Sequence, residues 1–272
     1  MSDQRSRAEL FRSLHIPSDP IVLVNAWDAA SARIVEAAGA RAVATTSAGV
    51  AWSLGAPDGD VLGRELATEL VGRVAGAVSV PVTADIESGF GTTPERVAET
   101  VRAVLAAGAV GVNLEDAAPG GGPGLREAAD QSGRLAAARA VADGVGVPLY
   151  VNARVDTFLR GAGGLPETLD RAAAYLRAGA DGIFVPGVVD PATVAALVAG
   201  IPAPVNILAG PGAPTVPDLA KLGVARISLG SAVAEAAYAV VRRAAEEAYG
   251  SGGYDALAGA LDYGSVNELM RR

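Results

Sequence analysis

The chain has 272 residues, with 22 Lys+Arg against 30 Asp+Glu for a formal charge of −8, and half of it is hydrophobic. An acidic balance argues against nucleic acid or an anionic membrane as the main partner, and the apolar content argues against a disordered chain. Cysteine is absent and His15 is the single histidine, which excludes disulfides, a thiolate nucleophile, Cys-based or multi-His metal sites and a Ser-His-Asp triad; a bound metal must be held by oxygen.

Residues 1–13 are charged and lack the apolar core of a signal peptide, which predicts an intracellular, cytoplasmic protein. His15 reads as a surface residue. The first strand is expected near 21–25, within PIVLVNAWD, followed by a helix over 29–38. The phrase AAGARAVATTS closes that helix on a glycine and leads into a second strand near 42–46. A glycine just past a helix supplies a left-handed cap, and the short apolar run after it fits a strand covered on both faces. The phrase returns as AAGAVGVNLED, RAGADGIFVPG and KLGVARISLG, placing the fourth, sixth and eighth strands near 111–115, 182–186 and 226–229. VPVTADIE, VPLYVNARVD and APVNILAG alternate with these and give the third, fifth and seventh near 81–86, 149–154 and 204–208. Further helices are expected over 64–78, 94–107, 135–142, 167–178, 192–198, 216–221 and 232–248, several opened by proline or a capping oxygen, as at Thr93-Pro94-Glu95.

Eight such βα units close into a (β/α)8 TIM barrel of the α/β class. A doubly wound open sheet would need a Gly-rich dinucleotide loop after the first strand, and VNAWDAAS is not one. The uncharged run 191–217 is cut by Pro202, Pro204, Pro211 and Pro214, so it does not make a membrane span. The chain reads as one domain, 1–272, with a C-terminal helical extension at 251–272 that either caps the barrel or packs on a neighbouring subunit.

In this architecture the chemistry sits where strands end. Asp85 and Glu87 close the third strand, Glu115 and Asp116 the fourth, Arg154 and Asp156 the fifth, and Asn206 lies on the seventh. Asp85 and Glu87 are two apart and would point the same way on a regular strand, with Glu115 beside them. Converging carboxylates repel unless they share a proton or a cation, and oxygen ligands suit Mg2+ or Mn2+. Asp116 is as well explained by capping or by pairing with an arginine. Arg154 offers a planar fork for a carboxylate or developing oxyanion, or a structural ion pair. Ser47, Ala48 and Gly49 either present backbone N–H groups to an anion or form a simple loop. The glycine-rich stretch PGGGPG, within residues 117–130, is expected as a lid over the site, with no P-loop lysine. Trp27 and Trp52 are read as packing or pocket-shaping residues.

These residues resemble a known group. NAWDAASARIVEAAGARAVATTSAGVAWSLGAPDGD, PVTADIESGFG, AGAVGVNLED, VNARVD, GADGIFVPG and PVNILA are similar to the isocitrate lyase/phosphoenolpyruvate mutase superfamily over about residues 20–230. The resemblance implies a barrel that binds Mg2+ and a small 2-oxo acid or its enolate, as a homo-oligomer, a tetramer or dimer, with C-terminal helices exchanged between subunits. It implies Asp85 as principal metal ligand, Glu87 and Glu115 on metal-bound waters, and Asp58 near metal and substrate. Ser47, Ala48 and Gly49 would hold the substrate carboxylate, Arg154 would bind substrate and stabilise negative charge, and Asn206 would contact substrate.

The departures narrow the activity. The loop after the fourth strand reads EDAAPGGGPGLREAADQ and lacks the Lys-Lys-Cys-Gly-His signature of isocitrate and methylisocitrate lyases. It also lacks the lysine and asparagine of phosphoenolpyruvate mutases, and DIE stands where many members have DID. What remains is an enzyme, of lyase or phosphonomutase type, that makes or breaks a C–C or C–P bond beside a pyruvate-like enolate. Oxaloacetate decarboxylation and phosphonopyruvate chemistry are the leading examples. The alternatives are a lyase with a replaced acid/base and a non-catalytic 2-oxo acid or oxalate binding protein.

Overall fold

The computed structural model describes residues 2–118 and 124–271. The glycine-rich stretch expected as a lid lies largely outside the described residues. Among them, nine short strands form one parallel sheet: β1 (Ile21–Leu23), β2 (Asn25–Ala26), β3 (Val43–Thr45), β4 (Val82–Asp85), β5 (Gly111–Glu115), β6 (Tyr150–Arg154), β7 (Gly182–Val185), β8 (Val205–Leu208) and β9 (Arg226–Ser228). Their order runs β1-β9-β8-β7-β6-β5-β4-β3-β2, with β1 against β9 and β2 against β3. Only Val24 separates β1 from β2, so the two are halves of one barrel strand and the sheet closes on itself. This is the expected eight-unit barrel with its first strand notched.

The surrounding helices are α1 (Ser2–Ser13), α2 (Ala29–Ala37), α3 (Ser47–Ser53), α4 (Arg64–Ala77), α5 (Pro94–Ala106), α6 (Ala128–Val145), α7 (Leu165–Arg177), α8 (Pro191–Gly200), α9 (Val216–Lys221), α10 (Ala232–Gly250) and α11 (Tyr263–Met270). α5 shows why they form. The Thr93 side chain accepts from the Arg96 N–H and Pro94 occupies the first turn, while Val97, Val101, Val104 and Leu105 turn one apolar face to the barrel. Gly108, at φ 97°, then lets the chain leave toward β5.

Two elements differ from the sequence reading. α1 is a helix, and it packs Phe11 and Ala8 against the N-terminal ends of β5 and β6, with Gln4 Nε2 donating to the Leu105 carbonyl at 2.7 Å. His15 is buried rather than on the surface: its ring stacks on Tyr150 at 3.9 Å and its Nδ1 meets the Phe11 carbonyl at 2.9 Å. Burial and the charge of Arg226 push its pKa down to about 3. The C-terminal extension is a short 3-10 turn at Asp255–Leu257 followed by α11, which lies against α2 of the same chain.

Beneath the mouth, the barrel interior carries a polar layer. Asn113 Oδ1 accepts from Asn152 Nδ2 at 2.9 Å and from Arg226 Nη2 at 3.0 Å, and Asn152 Nδ2 also donates to Asn206 Oδ1 at 3.0 Å. The first strand is stitched to both neighbours by Asn25, whose Nδ2 donates to the Thr45 carbonyl at 2.8 Å while Oδ1 accepts from the N–H groups of Leu229 and Gly230 at 3.1 and 2.9 Å.

Candidate active site

A cavity of about 240 Å³ opens at the C-terminal ends of the strands. Asp85, the last residue of β4, is fixed there by its N–H to Thr45 Oγ1 at 2.9 Å and by its Oδ2, which accepts from Ser47 Oγ at 3.1 Å. Its other oxygen, Oδ1, is buried without a hydrogen-bond partner. A buried carboxylate oxygen left without a donor is costly. That oxygen fits a hard cation such as Mg2+, which takes one or two carboxylates and otherwise waters and substrate oxygens.

Arg154 ends β6 across from Glu115, its register partner on β5, and its Nη1 lies 2.7 Å from Glu115 Oε2. Burial works against the guanidinium charge, but Glu115, Asp156 and Asp85 more than offset it, and the pKa is raised. The Phe184 ring lies 5.8 Å from its Cζ. Burial raises Glu115 well above the usual carboxylate range, with Arg154 pulling the other way and Asp156, Asp85 and Asp58 adding to the rise. Asp58 lines the same cavity, and burial together with the Asp85 charge raises its pKa too.

Glu87 does not follow the alternation of a regular strand. β4 stops at Asp85, and Glu87 adopts φ 51°, which turns its carboxylate back to accept from the N–H groups of Gly59, at 2.8 Å, and Asp60. Burial pushes its pKa up to about 7, against the lowering effect of the Asp60 N–H. Among the described residues no three carboxylates converge as a cage of direct metal ligands. Asp85 faces the cavity, Glu115 is engaged by Arg154, and Glu87 is held by the 59–60 turn.

The remaining sequence candidates divide clearly. Ser47 and Ala48 line the cavity and begin α3, so the segment is a helix start rather than a simple loop. Gly49 is buried behind them, where a Cβ would stand 2.8 Å from Thr46 Cγ2 and 2.9 Å from Trp27 Cβ. Asn206 does not line the cavity; it belongs to the polar layer below, where its Nδ2 donates to Ser228 Oγ at 3.2 Å. Asp116 is fully buried away from the cavity, accepting from Tyr175 Oη at 2.8 Å, Arg171 Nη1 at 3.2 Å and the Asp156 N–H at 2.9 Å.

A model of the phosphoenolpyruvate phosphomutase family matches residues 11–249. The chain belongs to that family. It is 42% identical over 223 residues to an uncharacterised protein of Mycobacterium tuberculosis, covering 81% of each chain. The crystal structure of a candidate phosphonomutase from Burkholderia cenocepacia superposes with a TM-score of 0.85 at 45% identity, covering 89% of this chain and 99% of that one. A phosphonopyruvate hydrolase, determined as a complex with oxalate and Mg2+, superposes with a TM-score of 0.84 at 28% identity, covering 97% and 94%. The reading of a phosphoenolpyruvate mutase-like enzyme of the lyase and mutase class is met at the level of this family.

For a phosphomutase-family barrel, two features escaped the sequence reading. Asn113 and Ser228 line the cavity floor, and an asparagine inside the apolar run GVNLE, two residues before Glu115, was a readable signal for the former. Leu159, Phe184, Pro186 and Leu208 form an apolar side of the cavity; they look like ordinary strand and loop residues in sequence and carry no such signal.

Proposed function

We propose that the chain is an Mg2+-dependent enzyme, Mn2+ being the alternative ion, that makes or breaks a bond to carbon beside the enolate of a small 2-oxo acid, with oxaloacetate decarboxylation as the leading reaction. The observation that carries this reading is Asp85, whose Oδ1 is buried without a hydrogen-bond partner and which lines one cavity with Ser47, Asp58 and Arg154. Asp85 would hold the ion directly, with Glu115 and Glu87 set further back to accept from its waters. The bound ion supplies Lewis-acid polarisation and a template for the carboxylate and keto oxygens. Ser47 Oγ and the backbone of Ala48 bind the substrate carboxylate. The Arg154 guanidinium would face the oxygen on which negative charge develops. Asp58, which lines the same cavity, is the carboxyl placed to deliver a proton to the enolate carbon.

The family supports this reading, and the chain's missing loop acids favour decarboxylation, which needs little beyond the metal and an electron sink. A homo-oligomer is proposed on the exposed apolar residues of α10 and the segment after it, including Val241, Tyr249, Tyr254, Leu257 and Tyr263. Among the described residues no helix is long and apolar enough to cross a membrane, and a cytoplasmic location is proposed.

The test offers Mg2+-loaded protein oxaloacetate, phosphonopyruvate, phosphoenolpyruvate and methylisocitrate, following pyruvate and the phosphorus NMR spectrum. Turnover of at least one substrate, lost on chelation, is expected. Metal-dependent oxalate binding with no turnover of any of them would instead identify a binding protein.

A further inference from the structure

We propose that Asn113, on the cavity floor, donates a hydrogen bond from its Nδ2 to a substrate oxygen, and that Arg226, buried below it, is the positioning residue that fixes which way this carboxamide faces. This rests on the reading of the site given above and adds a neutral substrate-binding group to it.

The polar layer has a direction. An arginine can only donate, so the Asn113 atom that lies 3.0 Å from Arg226 Nη2 has to be Oδ1. The same oxygen accepts from Asn152 Nδ2. At the far end of the layer, Asn206 Nδ2 donates to the carbonyls of Ile207 and Arg226 at 3.1 and 3.2 Å, which leaves Asn206 Oδ1 to receive Asn152 Nδ2. Gly182, on the strand between Asn152 and Asn206, makes room for that reach: a Cβ there would stand 3.2 Å from Asn152 Oδ1. Each carboxamide is thus set by a group that cannot reverse its role, a guanidinium at one end and backbone carbonyls at the other.

With Oδ1 turned to Arg226 and Asn152, Nδ2 is the end of Asn113 left to the cavity that the residue lines. Asn113 is also the register partner of Asp85 on the neighbouring strand, so the two side chains stand side by side on the barrel interior, about 4.8 Å apart at the backbone. A ligand seated against Asp85 is therefore within reach of the carboxamide. A neutral donor suits that place, because it grips an anionic oxygen without pairing with Asp85 and displacing a cation from it. Arg226 is 1% exposed, and of its three nitrogens only Nη2 makes a hydrogen bond, the one to Asn113. Burying a guanidinium is costly, and orienting Asn113 is the work its one bond performs.

The experiment measures binding of Mg2+ alone and of oxalate with Mg2+ by calorimetry, on wild type, Asn113→Ala, Asn113→Asp, Arg226→Met and the double variant Asn113→Ala/Arg226→Met. Asn113→Ala removes the donor without adding charge; Asn113→Asp keeps an acceptor for Arg226 and Asn152 and carries the first test if the alanine variant does not fold. Both are expected to weaken oxalate about tenfold or more, the scale of one hydrogen bond to a charged group, while Mg2+ alone binds no more weakly than to wild type. Arg226→Met is expected to weaken oxalate too, and to lose nothing further in the Asn113→Ala background, because two changes acting through one group do not add. If the methionine variant does not fold, Arg226→Lys replaces it, with the same non-additivity expected. Oxalate affinity within about threefold of wild type after the Asn113 substitution, or additive losses in the cycle, would overturn this inference alone. Absence of Mg2+-dependent oxalate binding by wild type would refute the site reading itself.

Discussion

Arg154 and Asp156, two residues apart, meet as a two-pronged pair: Nε lies 2.6 Å from Oδ1 and Nη2 3.0 Å from Oδ2. Asp156 is fully buried and also receives Arg160 at 3.3 Å. The aspartate thereby fixes the plane of the guanidinium, leaving Nη1 to Glu115. Removing one partner of a buried pair costs about 3–5 kcal/mol. Asp156→Asn is therefore expected to lower stability by about 3 kcal/mol in urea denaturation. Arg154→Lys keeps the charge but loses the fork, and turnover should fall roughly 100-fold, about 2.7 kcal/mol of transition-state stabilisation, as read from kcat.

Asp85→Asn separates binding from folding. The substitution removes a negative charge that raises the pKa values of Asp58 and Glu87, so the metal-free protein should melt no lower than wild type. Mg2+-dependent oxalate binding should weaken at least about 100-fold, on the scale of a lost charge-assisted contact; calorimetry on both proteins checks it, and unchanged affinity would remove Asp85 from the metal site.

Gly49→Ala tests the packing behind Ser47. The added methyl would meet Thr46 Cγ2, Trp27 Cβ and, at 3.2 Å, Ala234 Cβ. Overpacking of this kind costs about 1–3 kcal/mol. Because α3 must shift to accommodate it, oxalate affinity should fall together with denaturation stability.

His15 makes the protein acid-sensitive. Its folded pKa of about 3 lies below the ordinary 6.5, so the unfolded chain binds the extra proton between those values. Stability is complete above about pH 6.5 and falls as the pH drops toward 3, with a slope of up to ~1.4 kcal/mol per pH unit. His15→Phe should flatten that slope in denaturation curves taken from pH 4.5 to 7.

Glu87 acts in the opposite sense. Its folded pKa of about 7 exceeds the ordinary 4.5, so the folded state holds the extra proton, and its contribution is complete below about pH 4.5 and lost as the pH rises through 7. Glu115 shifts in the same direction. Added Mg2+ should therefore raise the melting temperature more at pH 8 than at pH 6, because the ion competes with those protons. Equal increments at both pH values would count against carboxylates in the ion's surroundings.

The barrel was legible because each strand follows a glycine-ended helix or a proline and is apolar along its length, so the expected strands lie within a residue or two of those found. Asp85, Ser47, Asp58 and Arg154 were legible by position at strand ends and by resemblance. The turn at Glu87 was not, since a left-handed backbone at a glutamate is set by the 59–60 N–H groups it reaches, far along the chain. α1 hid behind its charges, with Ala8 and Phe11 the side chains it fully buries. Asp156 looked like one acid among several because its partner is chosen in three dimensions.

The seam at Asn25 bears on how the molecule is made. Its carboxamide binds backbone more than 200 positions downstream, at Leu229 and Gly230, and β1 pairs with β9 alone on that side. Contacts of such long sequence separation form late. Translation must therefore run past Gly230 before the first strand has both its neighbours, and a polypeptide released earlier from the ribosome has an open-sided sheet, no finished floor beneath Asp85, and an exposed edge for chaperones to cover.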